Sequence, residues 1–307
     1  MMLARWGRGA RRRAWYGLLT ALGLAERGFF IPYRYAGQRL PAGRRPAYAA
    51  AERMFEACQP QFAAVLGWID GFGEALLRIG DEAAPAPRWA QDWYPRLDAA
   101  VAYSLVRRQR PARIVEVGSG HSTRFLLRAR DDGALATEIT AIDPAPRAWL
   151  DAAQPRGFTL LRQTLQAAGS APFAALAPGD LLMIDSSHVT MPGSDVDLLL
   201  GHVIPALPNG VFVAFHDIFL PDDYPADWAW RGYNEQLAVL ALILGGAWEV
   251  VFASHYVTTR MPGAVAESVA SALPLPLGAH ESALWLCKTG PGAGAHDEMT
   301  DLDPGRT

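Results

Sequence analysis

The chain has 307 residues, half of them apolar, which is enough to bury a full core and suits one large domain plus an extension better than two equal domains. Its 28 Lys and Arg against 31 Asp and Glu leave a net charge of −3, which excludes a general nucleic-acid-binding surface. Two cysteines, Cys58 and Cys287, lie far apart with no metal-ligand spacing, so the chain reads as the product of a reducing, cytoplasmic compartment and not as a disulfide framework.

Arg5, Arg8, Arg11, Arg12 and Arg13 precede an apolar stretch over residues 15–25. The outline is that of a secretion signal, but Gly17 and Gly23 interrupt it and it runs on into further apolar residues at 28–31. Five arginines beside a broken apolar stretch suit a helix lying peripherally on the inner face of a membrane, or one docking on its own domain. The longest apolar run elsewhere, 237–248, is too short to span a bilayer.

Residues 47–80 carry Tyr48, Phe55, Phe62, Leu66, Ile69, Leu76 and Leu77 at roughly helical spacing. A proline-rich break at 83–87 follows, then an aromatic segment at 89–94 and a helix over 95–108. From there strands alternate with helices. Strands are expected at 111–117, 137–142, 158–161, 180–184, 210–215, 248–254 and 282–288. Helices are expected from 125, over 146–154, 195–207 and 233–244, and the last two strands are joined by a non-helical link. This alternation predicts an α/β fold with a mostly parallel sheet, helices on both faces and an antiparallel edge hairpin. The expected organisation is a basic helical extension over 1–94, the α/β domain over 95–288, and a Pro/Gly/Asp-rich disordered tail over 289–307.

The chemistry concentrates at strand ends. Ile114, Val115 and Val117 stop at Gly118-Ser119-Gly120, where glycines let a ligand approach backbone, and a helix follows. Glu116 lies at that strand's carboxyl end and Asp143 ends the next strand, where a carboxylate can accept both hydroxyls of a ribose. A dinucleotide fingerprint needs a third glycine where Thr123 stands, which argues against an NAD-dependent oxidoreductase. Ser122 and Thr123 are candidate helix caps, and Gln163 and Thr164 end the third strand within reach of an adenine. The fourth strand ends in Asp185-Ser-Ser-His188 and the fifth in His216-Asp217, so two carboxylates and two histidines converge on one mouth. Trp228, Trp230 and Tyr233 read as a packed lid more readily than as a platform for a sugar ring.

The string Glu116-Val-Gly-Ser-Gly120, followed by Asp143, resembles the first motifs of class I S-adenosylmethionine (SAM) methyltransferases. That resemblance implies a seven-stranded Rossmann-like sheet with SAM held by Glu116, Gly118, Ser119, Gly120, Asp143, Thr164 and Asp185. The strings at 210–225, 234–236 and 29–36 look like a bacterial subgroup of the group called methyltransferase domain 24, so the likeness covers nearly all of the chain to residue 288. Asp185-x-x-His188 with an acidic fifth-strand end is similar to metal-dependent sugar O-methyltransferases, which implies Mg²⁺ on Asp185 and Asp217 and His188 as the base. This chain departs from that pattern in placing His216 before Asp217, leaving fewer carboxylates, with His216 as a third candidate ligand and Asp222 or Asp223 as substitutes.

The leading expectation is a SAM-dependent O-methyltransferase acting on a hydroxyl of a small molecule or glycan, with His188, Asp185 and Asp217 as its catalytic residues. The sulfonium already activates the methyl, so the enzyme's task is to align the acceptor and remove its proton. The competing expectation is a non-catalytic SAM-binding module in a membrane or surface-polysaccharide assembly. The sequence leaves the acceptor, the oligomeric state and the metal identity open.

Overall fold

The computed structural model describes residues 7–29, 31–80, 82, 86–146 and 155–290. Two compact units divide the chain. The smaller joins the residues up to Ala47 with Asp222–Tyr233. In it, helix α1 (Arg8–Ala21) buries no residue, and α1 with the turn after it exposes Trp15, Leu18 and Leu22. Arg13 donates to the Ala229 carbonyl at 2.7 Å, Arg45 pairs with Asp223 at 2.8 Å, and the Arg231 guanidinium lies 4.1 Å from the Trp228 ring. Among the described residues no helix is long and apolar enough to cross a membrane.

The larger unit, Tyr48–Pro221 with Asn234 onward, holds the sheet. Helices α2 (Ala49–Ala57), α3 (Gln59–Gly71) and α4 (Gly73–Leu77) account for the helical periodicity at 47–80. Phe55 and Phe62 pack edge-on with Tyr256 and Phe252, with ring centroids 5.6–6.2 Å apart, in a geometry favoured by aromatic quadrupoles. Helix α5 (Arg96–Gln109) is buried continuously from Leu97 to Val106, Asp98 and Ser104 included. Arg107 and Arg108 in its last turn complement the helix dipole.

Then β1 (Arg113–Val117), α6 (His121–Asp132), β2 (Glu138–Ile142), β3 (Phe158–Leu161), α7 (Leu165–Ala168) and β4 (Leu181–Ile184) follow. Next come α8 (Asp195–Leu198), α9 (Ile204–Ala206), β5 (Phe212–Phe215), α10 (Glu235–Leu244), β6 (Trp248–Ala253), α11 (Ser254–Arg260), α12 (Pro262–Glu267) and β7 (Leu284–Lys288). The seven strands form one sheet in the order β3-β2-β1-β4-β5-β7-β6. All neighbours are parallel except β7, which runs antiparallel to both β5 and β6. The strand order reverses between β1 and β4, and there the carboxyl ends of parallel strands open a crevice for ligands.

The expected fold class therefore holds, with two local corrections. The helix expected over 195–207 is interrupted by a π-helical turn at Leu199–Val203, because Pro205 offers no N–H and its ring crowds the carbonyl four residues back. Lys288 closes this irregular end, its Nζ donating to the carbonyls of Ile204, Pro205 and Leu207 at 3.0, 2.7 and 2.7 Å. The link between β6 and β7 is helical in its first half, as α11 and α12; buried Tyr256, Val257 and Val265 anchor it despite β-branched residues and Pro262. The helix expected over 146–154 falls almost wholly outside the described residues. Of the expected tail, Thr289 and Gly290 bond the Ala247 carbonyl at 2.9 and 3.0 Å, and the remainder lies outside them.

Candidate active site

Gly118 and Gly120 are glycines for different reasons. Gly118 has φ +87°, and a Cβ there would fall 1.8 Å from the Asp185 carbonyl oxygen, so the approach of β1 to β4 itself requires it. Gly120 has extended backbone at φ −179°, and a Cβ there would meet nothing within 4 Å. Among the described residues nothing demands a glycine at that position, and the space beside it is open.

Glu116 is fully buried. Its two oxygens accept from the hydroxyls of Ser122 and Thr123 at 2.5 Å each, and Thr123 Oγ1 accepts from Gly120 N at 3.0 Å. It braces the start of α6 from inside, with both oxygens turned towards the helix. Burial pushes its pKa up to about 8; the two hydroxyls offset part of that rise. Asp143 ties the loops after β1 and β2 together: Oδ2 accepts from Ser119 N and Oγ at 2.9 and 2.8 Å, and Oδ1 from Ala145 N at 2.8 Å. The carboxylate is half-buried and keeps lone pairs for further donors. Thr164, exposed, caps α7 by accepting from Ala167 N at 3.3 Å.

The second constellation assembles as a tight cluster. His188 Nε2 lies 3.3 Å from Asp185 Oδ1 and 3.4 Å from Asp217 Oδ2. His216 Nδ1 lies 3.4 Å from Asp185 Oδ1 and 3.4 Å from Asp217 Oδ1. Behind each imidazole stands a second carboxylate. Glu235 Oε2 holds His188 Nδ1 at 2.9 Å, and Asp98 Oδ2 holds His216 Nε2 at 3.2 Å. Asp98 also accepts from Ser282 N and Ala283 N, at 3.0 Å from each at its nearer oxygen, so it is fixed before the histidine meets it. Asp217 accepts from Ser282 Oγ at 3.3 Å. Three of the four central residues are buried; the Asp185 side chain is 33% exposed and is the cluster's opening to solvent.

The backbone is committed to this arrangement. His188 and Asp217 both sit at positive φ, +59° and +57°, a strained region that persists at sites where the surroundings over-determine it. The start of α10 supplies the determination. His188 O accepts from Asn234 N and Glu235 N at 3.1 and 3.2 Å, Asn234 Oδ1 accepts from Thr190 N at 2.7 Å, and Gln236 Oε1 accepts from Phe219 N at 3.0 Å. The string Asn234-Glu235-Gln236 therefore locks the loops after β4 and β5.

Electrostatics follow from four carboxylates around two rings. Burial opposes charging His188, but hydrogen bonding to Asp185, the charge of Asp217 and the bond with Glu235 outweigh it and raise its pKa well above the usual histidine value. His216 is raised in the same way, burial being overcome by Asp185, Asp217 and Asp98. Burial would raise the Asp185 carboxyl, yet the two rings hold it well below the usual carboxylate range. Burial raises the Glu235 carboxyl, its bond to His188 offsetting part of that rise, and the carboxyl groups exceed the imidazoles four to two.

That excess, and the donor set, fit a divalent cation. Asp185, His216 and Asp217 each offer a ligand atom, all within 4.8 Å of one another. His216 Nδ1 is buried with no hydrogen-bond partner, and its other nitrogen is held by Asp98, the carboxylate–imidazole pairing that orients metal-ligating histidines. Asp223, considered as a substitute ligand, is engaged with Arg45. Sequence reasoning missed Asp98, Glu235 and Ser282. It also missed Tyr94, whose ring lies 5.0 Å from that of His216 and whose buried hydroxyl has no partner.

Residues 115–218 match the family described as Methyltransferase domain. Among solved structures, the chain is similar to a Podospora anserina methyltransferase bound to S-adenosylhomocysteine (SAH), at 14% identity and TM-score 0.39 over 85% of this chain and 99% of that one. It is also similar to a putative methyltransferase from Thermobifida fusca, at 15% identity and TM-score 0.37 over 75% and 94%. These likenesses are too distant to bear on substrate. No curated protein sequence matches the chain. The family match lies on β1 to β5, the strands that build the crevice, within the seven-stranded sheet ordered β3-β2-β1-β4-β5-β7-β6.

Proposed function

We propose that the chain binds SAM in the crevice at the ends of β1 and β2 and transfers its methyl group to a hydroxyl oxygen of a small molecule or glycan. The observation that carries this reading is the convergence of two carboxylate-braced histidines on Asp185 and Asp217, beside the open space at Gly120. Asp143 accepts the ribose hydroxyls. Glu116 shapes the turn from within, and Gly120 leaves the space that the cofactor fills. The SAM methyl is activated by its own sulfonium, so the chain's residues have two tasks: to hold the acceptor in line, and to take its proton.

His188 is the group for the proton. Glu235 fixes its Nδ1–H, so Nε2 is the basic nitrogen, and it faces the partly exposed Asp185. The carboxylates that raise its proton affinity also favour the charged ring while their own charge is uncompensated. A base at His188 therefore requires Asp185 and Asp217 to be engaged by something other than the ring. Asp185, Asp217 and His216 Nδ1 are the residues that would hold a divalent cation, which when bound lowers the pKa of an acceptor hydroxyl. One imidazole among the ligands makes the set softer than three carboxylates would be and favours Mn²⁺ over Mg²⁺.

The test is transfer of radiolabelled methyl from SAM to a panel of hydroxylated acceptors, including sugars. Label transfer by the unmodified protein and at least ~10²-fold slower transfer by His188→Ala, with SAM affinity retained, is the expected result. Equal activity in the two proteins refutes the base assignment.

A further inference from the structure

Helix α1 has two faces of different character. Gly9 and Arg13, one turn apart, point towards 229–230: a Cβ at Gly9 would fall 2.5 Å from the Trp230 ring, and Arg13 donates to the Ala229 carbonyl. Arg8, Arg11, Trp15, Leu18 and Leu22 recur at alternating spacings of three and four and share a second face. Trp15, Leu18 and Leu22 on that face are 57%, 49% and 61% exposed, and the segment that follows also exposes Leu24, Phe29 and Ile31. More than half of the large apolar side chains exposed among the described residues fall within 15–40. Single exposed apolar side chains are ordinary on any surface, but their concentration in one short stretch marks a surface that a partner covers.

Charge identifies the partner. Residues 7–47 hold nine arginines against one acidic residue, Glu26, in a chain whose net charge is −3. A second copy of this surface would set like charges face to face. A nucleic acid would satisfy the arginines and leave the leucines in water. An anionic lipid surface meets both needs, because its phosphates take the guanidinium groups while the apolar side chains enter the boundary of the acyl chains. Trp15 suits that depth, where one part of the indole is in an apolar medium and its N–H is wet. At 14 residues α1 is about 21 Å long, short of the roughly 30 Å of a hydrocarbon core, so it lies in the surface and does not cross it.

We propose that α1 and the segment up to Ile31 form a docking surface for anionic phospholipid, with the arginines at headgroup level and Trp15, Leu18 and Leu22 inserted beside them. No residue of the crevice takes part, so this docking stands apart from the methyl-transfer reading.

Vesicle flotation of the full chain tests it, with phosphatidylcholine alone and with phosphatidylcholine carrying about a third phosphatidylglycerol. The unmodified protein should bind the anionic vesicles at least ~10-fold more tightly than the neutral ones, and added salt should weaken that binding. Arg8→Gln combined with Arg11→Gln should lose about 25-fold on anionic vesicles, at about 5-fold for each charge. Trp15→Ser combined with Leu18→Ser and Leu22→Ser should lose ~10²-fold. Helix α1 buries no residue, so both variants should keep the urea unfolding transition of the unmodified protein. Absence of flotation, equal affinity for the two vesicles, or anionic binding unchanged by the three serine substitutions overturns the proposal. Self-association in solution that those substitutions abolish, without flotation of the unmodified protein, overturns it in favour of a second copy.

Discussion

Replacing Glu116 with Gln separates a bracing role from a charged, ligand-holding one. Glu116 titrates near 8 in the fold against a usual value of 4.5. A raised carboxyl pKa means that the folded state holds a proton the unfolded chain has released. The associated stability is fully present below pH 4.5 and is lost as pH rises through about 8. At 1.36 kcal/mol per pH unit the interval corresponds to at most about 4–5 kcal/mol, and relaxation around the buried group reduces this to about 2–3 kcal/mol. Glu116→Gln has no such titration and keeps the shape that meets Ser122 and Thr123. Urea unfolding at pH 5.5 and pH 9 should show the unmodified protein losing about 2–3 kcal/mol more than the variant across that range. The alkaline loss from His188 and His216 is common to both proteins and cancels in the difference. Parallel stability profiles would refute the account of Glu116 as a buried, largely protonated brace.

Three further outcomes follow from the geometry. Asp98→Asn removes the acceptor that fixes the His216 tautomer, and should weaken Mn²⁺ binding about 10- to 100-fold by titration calorimetry while leaving SAM affinity unchanged. Lys288→Met strips the shared donor from three carbonyls at the end of α9 and should cost about 2–4 kcal/mol in urea unfolding, with no change in metal affinity. Methyl transfer should fall to background on chelation and return further with Mn²⁺ than with Mg²⁺, whereas chelator-insensitive transfer would refute the cation and, with Asp185 and Asp217 left facing the ring, weigh against His188 as the base.

Strand ends were the legible part of this sequence. The β-branched run stopping at Gly118, and the apolar run stopping at Asp185, announce buried parallel strands whose carboxyl ends face a ligand, and all seven strands fall where alternation puts them. Asp185, His188, His216 and Asp217 could be grouped because parallel neighbours end on one edge. What lay behind them was not legible. Asp98 sits one turn into a helix over a hundred residues before His216, and Glu235 opens another; only the packing of those helices on the sheet brings them to the rings. An Asp in the mostly apolar stretch 97–106 of α5 was the available signal, since a carboxylate on a buried face needs a partner. The two glycines could not be told apart either, because Gly118 answers to the Asp185 carbonyl, a contact across strands distant in sequence. The Pro205 interruption was visible as a proline, but the donor for the carbonyls at its end, Lys288, arrives from β7.

The central claim is that SAM is held by the turn after β1 and by Asp143. Calorimetry of SAM binding to the unmodified protein and to Asp143→Ala tests it most directly. Removing a charged acceptor of the ribose hydroxyls should cost about 1.5–3 kcal/mol, a roughly 10- to 150-fold loss of affinity. SAM binding of equal strength in both proteins would contradict the account.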